Sequence, residues 1–522
     1  MTAAAESGRG VPTLLERWVE RGLLLGFGLA VLLTFRDYGL TWDEPNQMKY
    51  GELVLAYFRS GFADKSCNEF QDLRFYGPLF ESVAAAAYQS TGLPKADVRH
   101  LLNAATGLLT VLGVMRIARL FERPWLPSLA GLALALWPRF YGHSFNNSKD
   151  IPFACAFCWA MWAMARYRIG ARRLRDAAWV GLAIGIALAV RPGGVLLLAF
   201  LPLALWPRAE PVVRQSPVLW AALIVAIAWT TMVLPWPWAH ESPIGHPLLA
   251  IARSADIPSE RPVLFEGQLL LENALPRYYL PKYLLITTPP FCLILLALGL
   301  PVAWRAGPVG RLTLAWLLLP IGFVVARRPP LYDEIRHFLF LLPAGALLAA
   351  LGADAARGAA STRFGRWGLG VALLLLEPLP RLVSLHPYQA SYFNLLAGGG
   401  DLSLRYDTDY WLSSYREAIL WIDALGPPRE GRRRVLVAAP PGPAYCASYY
   451  AAPFVEVVPL SEVGLSDKLP QEFDAYVATS RWFLHRAFAD VPIRHVIARE
   501  GMLFAVVRSR DAPPEGGSKP PP

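Results

Sequence analysis

The chain is short of charge, of lysine and of cysteine. Charged residues make up 17% of its 522 positions, against about 25% in soluble globular domains. That excludes an ordinary string of water-soluble domains. Lysine supplies only seven of the 50 basic residues, so the net charge of +10 is carried by arginine. Those arginines form no compact basic domain, and nucleic acid is not an expected partner. Five cysteines with no metal-like cluster exclude a disulfide scaffold. Cys155 and Cys158 form a C-x-x-C, but inside the apolar run IPFACAFCWAMWAMA, where helix packing is the expected role. No internal repeat is visible, which argues against transporters built from repeated halves.

What the chain has is apolar surface: 54% hydrophobic residues, with 25 Phe, 20 Tyr and 18 Trp, excluding intrinsic disorder. Crossing a bilayer takes about 20 apolar residues. Eleven runs approach that, near 19–39, 99–120, 125–143, 151–168, 177–190, 194–206, 216–235, 283–303, 311–326, 336–353 and 367–384. The fifth and sixth share the hinge Arg191-Pro192-Gly193-Gly194 and read as a hairpin. The first resembles a signal peptide, but no small-x-small cleavage site follows it, so an uncleaved anchor is expected. With the N-terminus in the cytoplasm, eighteen arginines fall in cytoplasmic loops and six basic residues in short outer ones. An odd number of spans then places the C-terminus outside, in an integral inner-membrane protein.

Two outer loops are long, from about 40 to 98 and from about 236 to 282, and long ordered loops are usually functional. The first contains EPNQMKYGELVLAYFRSG and YGPLFESVAAAAYQSTG, two amphipathic stretches expected to lie as helices at the membrane interface. Beyond about 385, strand-like runs (RVLVAA, VEVVPL, DAYVATS, HVIARE, LFAVVRS) alternate with helical ones, TDYWLSSYREAILWIDAL and PAYCASYYAAP. The expected fold is mainly α: a polytopic membrane helix bundle over 1–384, then a small extracytoplasmic α/β domain over 385–510. Residues 511–522, DAPPEGGSKPPP, read as a disordered tail.

Two acidic motifs reach the same membrane face. Thr41-Trp42-Asp43-Glu44-Pro45 opens the first outer loop, and the second short one carries Tyr141 to Asp150, followed by Ile151-Pro152. Acids ahead of a helix also serve as caps. Paired carboxylates at a water–lipid boundary can instead bind a divalent cation, or one can act as a general base. Arg191 sits at that face, and so do Arg327, Arg328, Arg336 and His337 in RRPPLYDEIRHF. Their partners are either a lipid phosphate, which arginine holds with two donors, or Asp333, Glu334 and headgroups.

Several features together resemble the GT-C integral-membrane glycosyltransferases. They are the Trp-Asp-Glu-Pro loop after a first span, the interfacial helices, Asn147-Ser148-Lys149-Asp150-Ile151-Pro152 at the start of the fourth span, and Arg336-His337-Phe338 opening a late one. The branch is that of bacterial relatives of the dolichyl-phosphate-mannose protein mannosyltransferases and of the aminoarabinose transferase acting on lipid A. His386 to Asn394, HPYQASYFN, and Thr408-Asp409-Tyr410-Trp411 are similar to a bacterial subgroup of it. The resemblance covers roughly residues 15–425.

It implies an inverting transferase that moves a sugar from a polyprenyl-phosphate-linked donor to a hydroxyl of a protein, lipid or glycan acceptor outside the cytoplasm. It makes Asp43 the base, with Glu44 orienting it or the acceptor, and Asp150 part of the same site. Some members use a divalent cation (Mg, Mn or Ca), for which Asp43 and Asp150 are the ligand candidates. Arg336, with Arg191, His337 and Lys149, would bind the donor phosphate. Tyr76, His143, Tyr410 and Trp411 would contact substrate. The inserted soluble domain of the eukaryotic enzymes is missing, which leaves the acceptor open. The competing expectation is a transporter or flippase for a lipid-linked or amphipathic substrate; a non-enzymatic assembly subunit is a third.

Overall fold

The computed structural model describes residues 13–206, 216–254, 261–359, 376–438, 441–460 and 473–510. The expected tail at 511–522, the start of the eleventh run, and Arg9, Arg208, Arg214, Arg363 and Arg366 lie outside them.

The first helix, α1 (Leu14–Thr34), begins at a capping box: the Thr13 hydroxyl accepts from the Glu16 N–H, and the Glu16 carboxylate accepts from the Thr13 N–H. The first long loop then folds as the amphipathic pattern requires. Helix α2 (Glu44–Arg59) has Pro45 in its first turn and buries Tyr50, Val54 and Tyr57 against Cys67 and Leu73. Helix α3 (Leu79–Thr91) crosses it where Gly51 meets the Glu81 carbonyl, a contact with no room for a Cβ. Next come α4 (Lys95–Arg119), α5 (Leu126–Ala135), α6 (Pro138–Asn146), α7 (Asp150–Ile169) and α8 (Leu174–Val190).

Among the described residues, three helices are long and apolar enough to cross a membrane: Lys95–Arg119, Pro308–Arg327 and Arg336–Ala356. A fourth crossing follows if Tyr279–Ile286 and Pro290–Arg305, bent by 116°, form one span. The expected count of eleven is not met by that measure. Breakage accounts for part of the difference. The run at 125–143 splits into α5 and α6 at Pro138, since proline cannot donate to the preceding turn. Arg191 is extended and Pro192 starts a 3₁₀ segment that packs back on α8, where Gly194 meets the Leu188 amide. That return is the expected hairpin. Large apolar side chains stay exposed on helix faces, among them Leu25, Leu29, Leu32 and Leu33 of α1, Val218 and Leu219, and Leu318, Leu319 and Phe323. Such a belt suits lipid rather than water. Cys155 and Cys158 are free and buried in α7, as the packing reading required.

In the second long loop a hairpin pairs β1 (Pro262–Phe265) with β2 (Gln268–Leu271). Its turn places Glu266 at φ 55° and Gly267 at φ 83°, the geometry of a two-residue hairpin. The alternation was too short to read from sequence. The C-terminal domain has a sheet of β3 (Arg433–Val437), β4 (Val455–Pro459), β5 (Ala475–Thr479), β6 (Ile493–Arg499) and β7 (Met502–Ser509), in the order β4-β3-β5-β7-β6. β3 runs parallel to both of its neighbours, and β7 antiparallel to β5 and β6. All five expected strand runs are strands. The stretch 408–425 is helical only over Tyr415–Asp423, because Asp409 turns its carboxylate back onto the Ser413 and Ser414 N–H groups. The segment from 385 onward packs first on the helical part: Gln389 accepts from the Tyr38 hydroxyl, and the Asn394 amide donates to the Leu285 and Thr288 carbonyls.

Candidate active site

Asp43 stands at the start of α2 in helical conformation, and its side chain makes no capping hydrogen bond. The capping reading of this residue therefore fails. Its Oδ2 instead faces two cations, Lys149 Nζ at 3.5 Å and Arg336 Nη1 at 3.6 Å, while 27% of the side chain stays accessible. Burial works to raise its pKa, but Lys149 and then Arg336 outweigh that and hold the carboxyl below its ordinary value. Burial likewise opposes the charge of Lys149, and Asp43 overcomes it, holding the ammonium above its usual range. Lys149 also lies over the Tyr76 ring, 5.0 Å from its centre.

Glu44 points the other way, into the interior. It accepts from the Thr41 N–H at 2.8 Å and meets His100 Nε2 at 3.4 Å and Arg99 Nε at 3.7 Å. Arg99, fully buried, also holds Glu81, Gln47 and Ser148 at 2.6, 3.0 and 2.8 Å. This network clamps the loop carrying Asp43 to the one carrying Lys149. Arg99, Glu81 and Gln47 escaped the sequence reading because a single arginine near a helix start looks like a surface residue.

Asp150 opens α7. It is buried, accepts from the Asn147 amide at 3.1 Å and pairs with Arg191. Arg191 is thus the partner of an acid in this structure. Asn147 bridges Asp150 to His143, whose other ring nitrogen meets the Tyr410 hydroxyl at 3.0 Å. The guanidinium of Arg336 lies 4.6 Å from the Trp411 ring centre and 5.1 Å from that of Tyr332, and Tyr332 meets His337 edge-on. Arg336 Nη2 binds Asp333 at 2.9 Å, so it serves both Asp43 and Asp333. Arg327 and Arg328 stay exposed. Tyr76, Lys149 and Arg191 line one narrow cavity with Gln47 and Glu81; Tyr410 and Trp411 line another with Asn146 and Asp409. The expected site residues that line cavities are thus divided between two of them rather than gathered in one.

Asp333 and Glu334 both have positive φ, 51° and 61°, which costs about 1–3 kcal/mol each in a non-glycine residue. Ion pairs hold them there: Glu334 with Arg139, and Asp333 with Arg336 and Arg481.

The divalent-cation expectation does not fit this donor set. Among the described residues no three His, Cys, Asp or Glu side chains cluster as ligands. The two carboxylates proposed as ligands are taken by Lys149 and Arg336 on one side and by Arg191 on the other. Two acids among three cations carry no surplus negative charge to hold a metal ion.

Residues 80–236 match the family model of dolichyl-phosphate-mannose-protein mannosyltransferase. The chain is 26% identical over 363 residues to undecaprenyl phosphate-alpha-4-amino-4-deoxy-L-arabinose arabinosyl transferase 2 of Pseudomonas fluorescens strain Pf-5, covering 64% of this chain and 56% of that one. It is 25% identical over 343 residues to transferase 1 of strain Pf0-1, covering 60% and 54%. The chain thus spans about half the length of these curated relatives. Its fold superposes on the apo structure of ArnT from Cupriavidus metallidurans with a TM-score of 0.50 at 16% identity, over 93% of this chain and 98% of that one. In sequence the chain is thus similar to the protein mannosyltransferases and aminoarabinose transferases, a GT-C glycosyltransferase likeness, and its fold is like that of ArnT.

Proposed function

We propose that the protein is an inverting glycosyltransferase that moves a sugar from a polyprenyl-phosphate-linked donor to an acceptor hydroxyl at the outer face of the membrane. The observation that carries this reading is the placement of Asp43, a partly accessible carboxylate, against Lys149 and Arg336. A polyprenyl phosphate leaves as an anion, so the transition state needs cations where that charge develops. Arg336 and Lys149 are suited to receive the phosphate oxygens, Arg336 through its planar fork. Asp43 takes the proton of the acceptor hydroxyl as its oxygen attacks the anomeric carbon. The bond from that carbon to the phosphate oxygen breaks on the opposite face, with inversion.

The pairing bears on timing as well. While Lys149 and Arg336 hold it, Asp43 is a weak base. A donor phosphate competing for both cations loosens them and raises the basicity of the carboxylate when an acceptor is needed.

The test is release of polyprenyl phosphate from a panel of polyprenyl-phosphate sugars by the purified full chain. Asp43→Asn keeps the shape and removes the base, which costs about 10²–10⁴-fold in rate. The Asn variant should fold normally and barely turn over. Transfer near the parent rate would take the base role from Asp43. Movement of an intact lipid-linked sugar across vesicles, without cleavage, would turn the reading to a flippase.

A further inference from the structure

We infer that the C-terminal domain completes the donor-phosphate end of the site, with Arg481 as a positioning residue that acts on Arg336 through Asp333. This deepens the transferase reading and rests on it.

Arg481 follows the end of β5, beyond the last residue of the GT-C resemblance. Its anchoring belongs to the domain: its N–H donates to the Thr479 hydroxyl at 3.2 Å, and the neighbouring Ser480 N–H donates to the Phe504 carbonyl of β7 at 2.8 Å. The side chain leaves the domain. It is 3% exposed, its Nη2 lies 2.6 Å from Asp333 Oδ1, and its Nη1 donates to the Tyr410 carbonyl at 2.9 Å. The guanidinium also lies 5.4 Å from the ring centre of Trp42, the residue before Asp43. Asp333 offers its second oxygen to Arg336. One guanidinium from the outer domain thus touches the backbone before Trp411, the ring before Asp43 and the acid that aims Arg336.

Two physical points make this more than domain docking. Elsewhere the interface is tied by pairs with partly exposed members, such as Arg381 with Glu500. The Arg481–Asp333 pair is buried on both sides, and a carboxylate taken from water is tolerated only when its oxygens are matched. Asp333 also sits at a positive φ that a non-glycine residue leaves when released. Removing Arg481 therefore frees Asp333 to turn and lets Arg336 shift toward Asp43. A guanidinium drawn to that carboxylate is less available to a phosphate.

The test is titration of the full-length protein in detergent with undecaprenyl phosphate, together with donor and acceptor KM in the transfer assay. Arg481→Gln is expected to weaken undecaprenyl phosphate binding about tenfold, the scale on which residues supporting a direct ligand act. Donor KM should rise with it while acceptor KM holds. Arg481→Lys, with the charge but no fork, should fall between. Asp333→Asn, nearly the same size, should repeat the loss if the glutamine variant folds poorly, with thermal melting separating the two causes. In the double variant with Arg336→Lys, the two losses should combine to less than their product. Parent-like binding by Arg481→Gln and Asp333→Asn, while Arg336→Lys binds poorly, overturns the inference and leaves the transferase reading standing. Absence of binding by the parent, or parent-like binding by Arg336→Lys, overturns both.

Discussion

At the scale of single residues, the site is a balance of buried charges, and each partner decides what the next one does. Asp407 is the clearest case outside the proposed chemistry. It is buried, and one oxygen accepts from the Leu264 N–H at 3.2 Å. Burial pushes its carboxyl up to about 6, against the pull of Arg481 and with the push of Asp333. A carboxyl whose folded-state pKa is raised burdens the folded protein above that pKa. The burden is full at neutral pH and fades as pH falls through about 6 toward the unfolded value near 4. Asp407→Asn is therefore expected to raise the melting temperature at pH 7.5, with the gain over the parent closing by pH 4.5. A gain that is constant with pH would mean that this carboxyl carries no such burden.

At the scale of elements, helix pairs approach through glycine. Gly299, in the helix Pro290–Arg305, meets the Leu348 carbonyl, and Gly352, in the helix Leu342–Ala359, meets the Leu295 carbonyl. The two backbones touch on both sides of one crossing, as small residues allow in membranes. Gly352→Val drives a branched side chain into that contact and is expected to cost about 1–3 kcal/mol. Gly26 of α1, where nothing lies within 4 Å of an added Cβ, is the control: Gly26→Ala should be neutral or stabilising. Thermal melting in detergent checks both, and equal effects at the two glycines would deny the crossing its role. The same scale explains the short helices. Proline at Pro127, Pro138, Pro192 and Pro217 suits a first turn and stops what precedes it. Continuous hydropathy is thereby cut into pieces that each fall short of a full crossing.

At the scale of the whole molecule, the arginine bias predicts an N-terminus in the cytoplasm and a C-terminal domain outside. Reporter fusions after Arg173 and after Trp411 should read cytoplasmic and external in turn. An external first fusion or a cytoplasmic second one would reverse the map and remove the outer-face site with it. The interface supports keeping the domain with the helices: Arg381 and Ser384 both reach Glu500, and the Tyr38 hydroxyl donates to Gln389 at 2.8 Å.

Some of this was written in the chain itself, and for a local reason. Amphipathic spacing is set by neighbours three and four residues apart, so α2 and α3 were legible in the first loop. Alternation is set by neighbours two apart, so all five strands of the C-terminal sheet were too. The adjacency of acid and proline marked Asp43 and Asp150 as residues at helix starts. Their partners were beyond reach. That Lys149 faces Asp43 while its neighbour Asp150 takes Arg191, that Glu44 turns inward to Arg99, and that Arg336 shares Asp333 with Arg481 all depend on residues about 40 to 290 positions apart. Charges in an apolar interior must find matching charges, because leaving one unpaired costs more than bending the chain to meet it. Which match each one finds is decided only when the helices pack and the C-terminal domain docks.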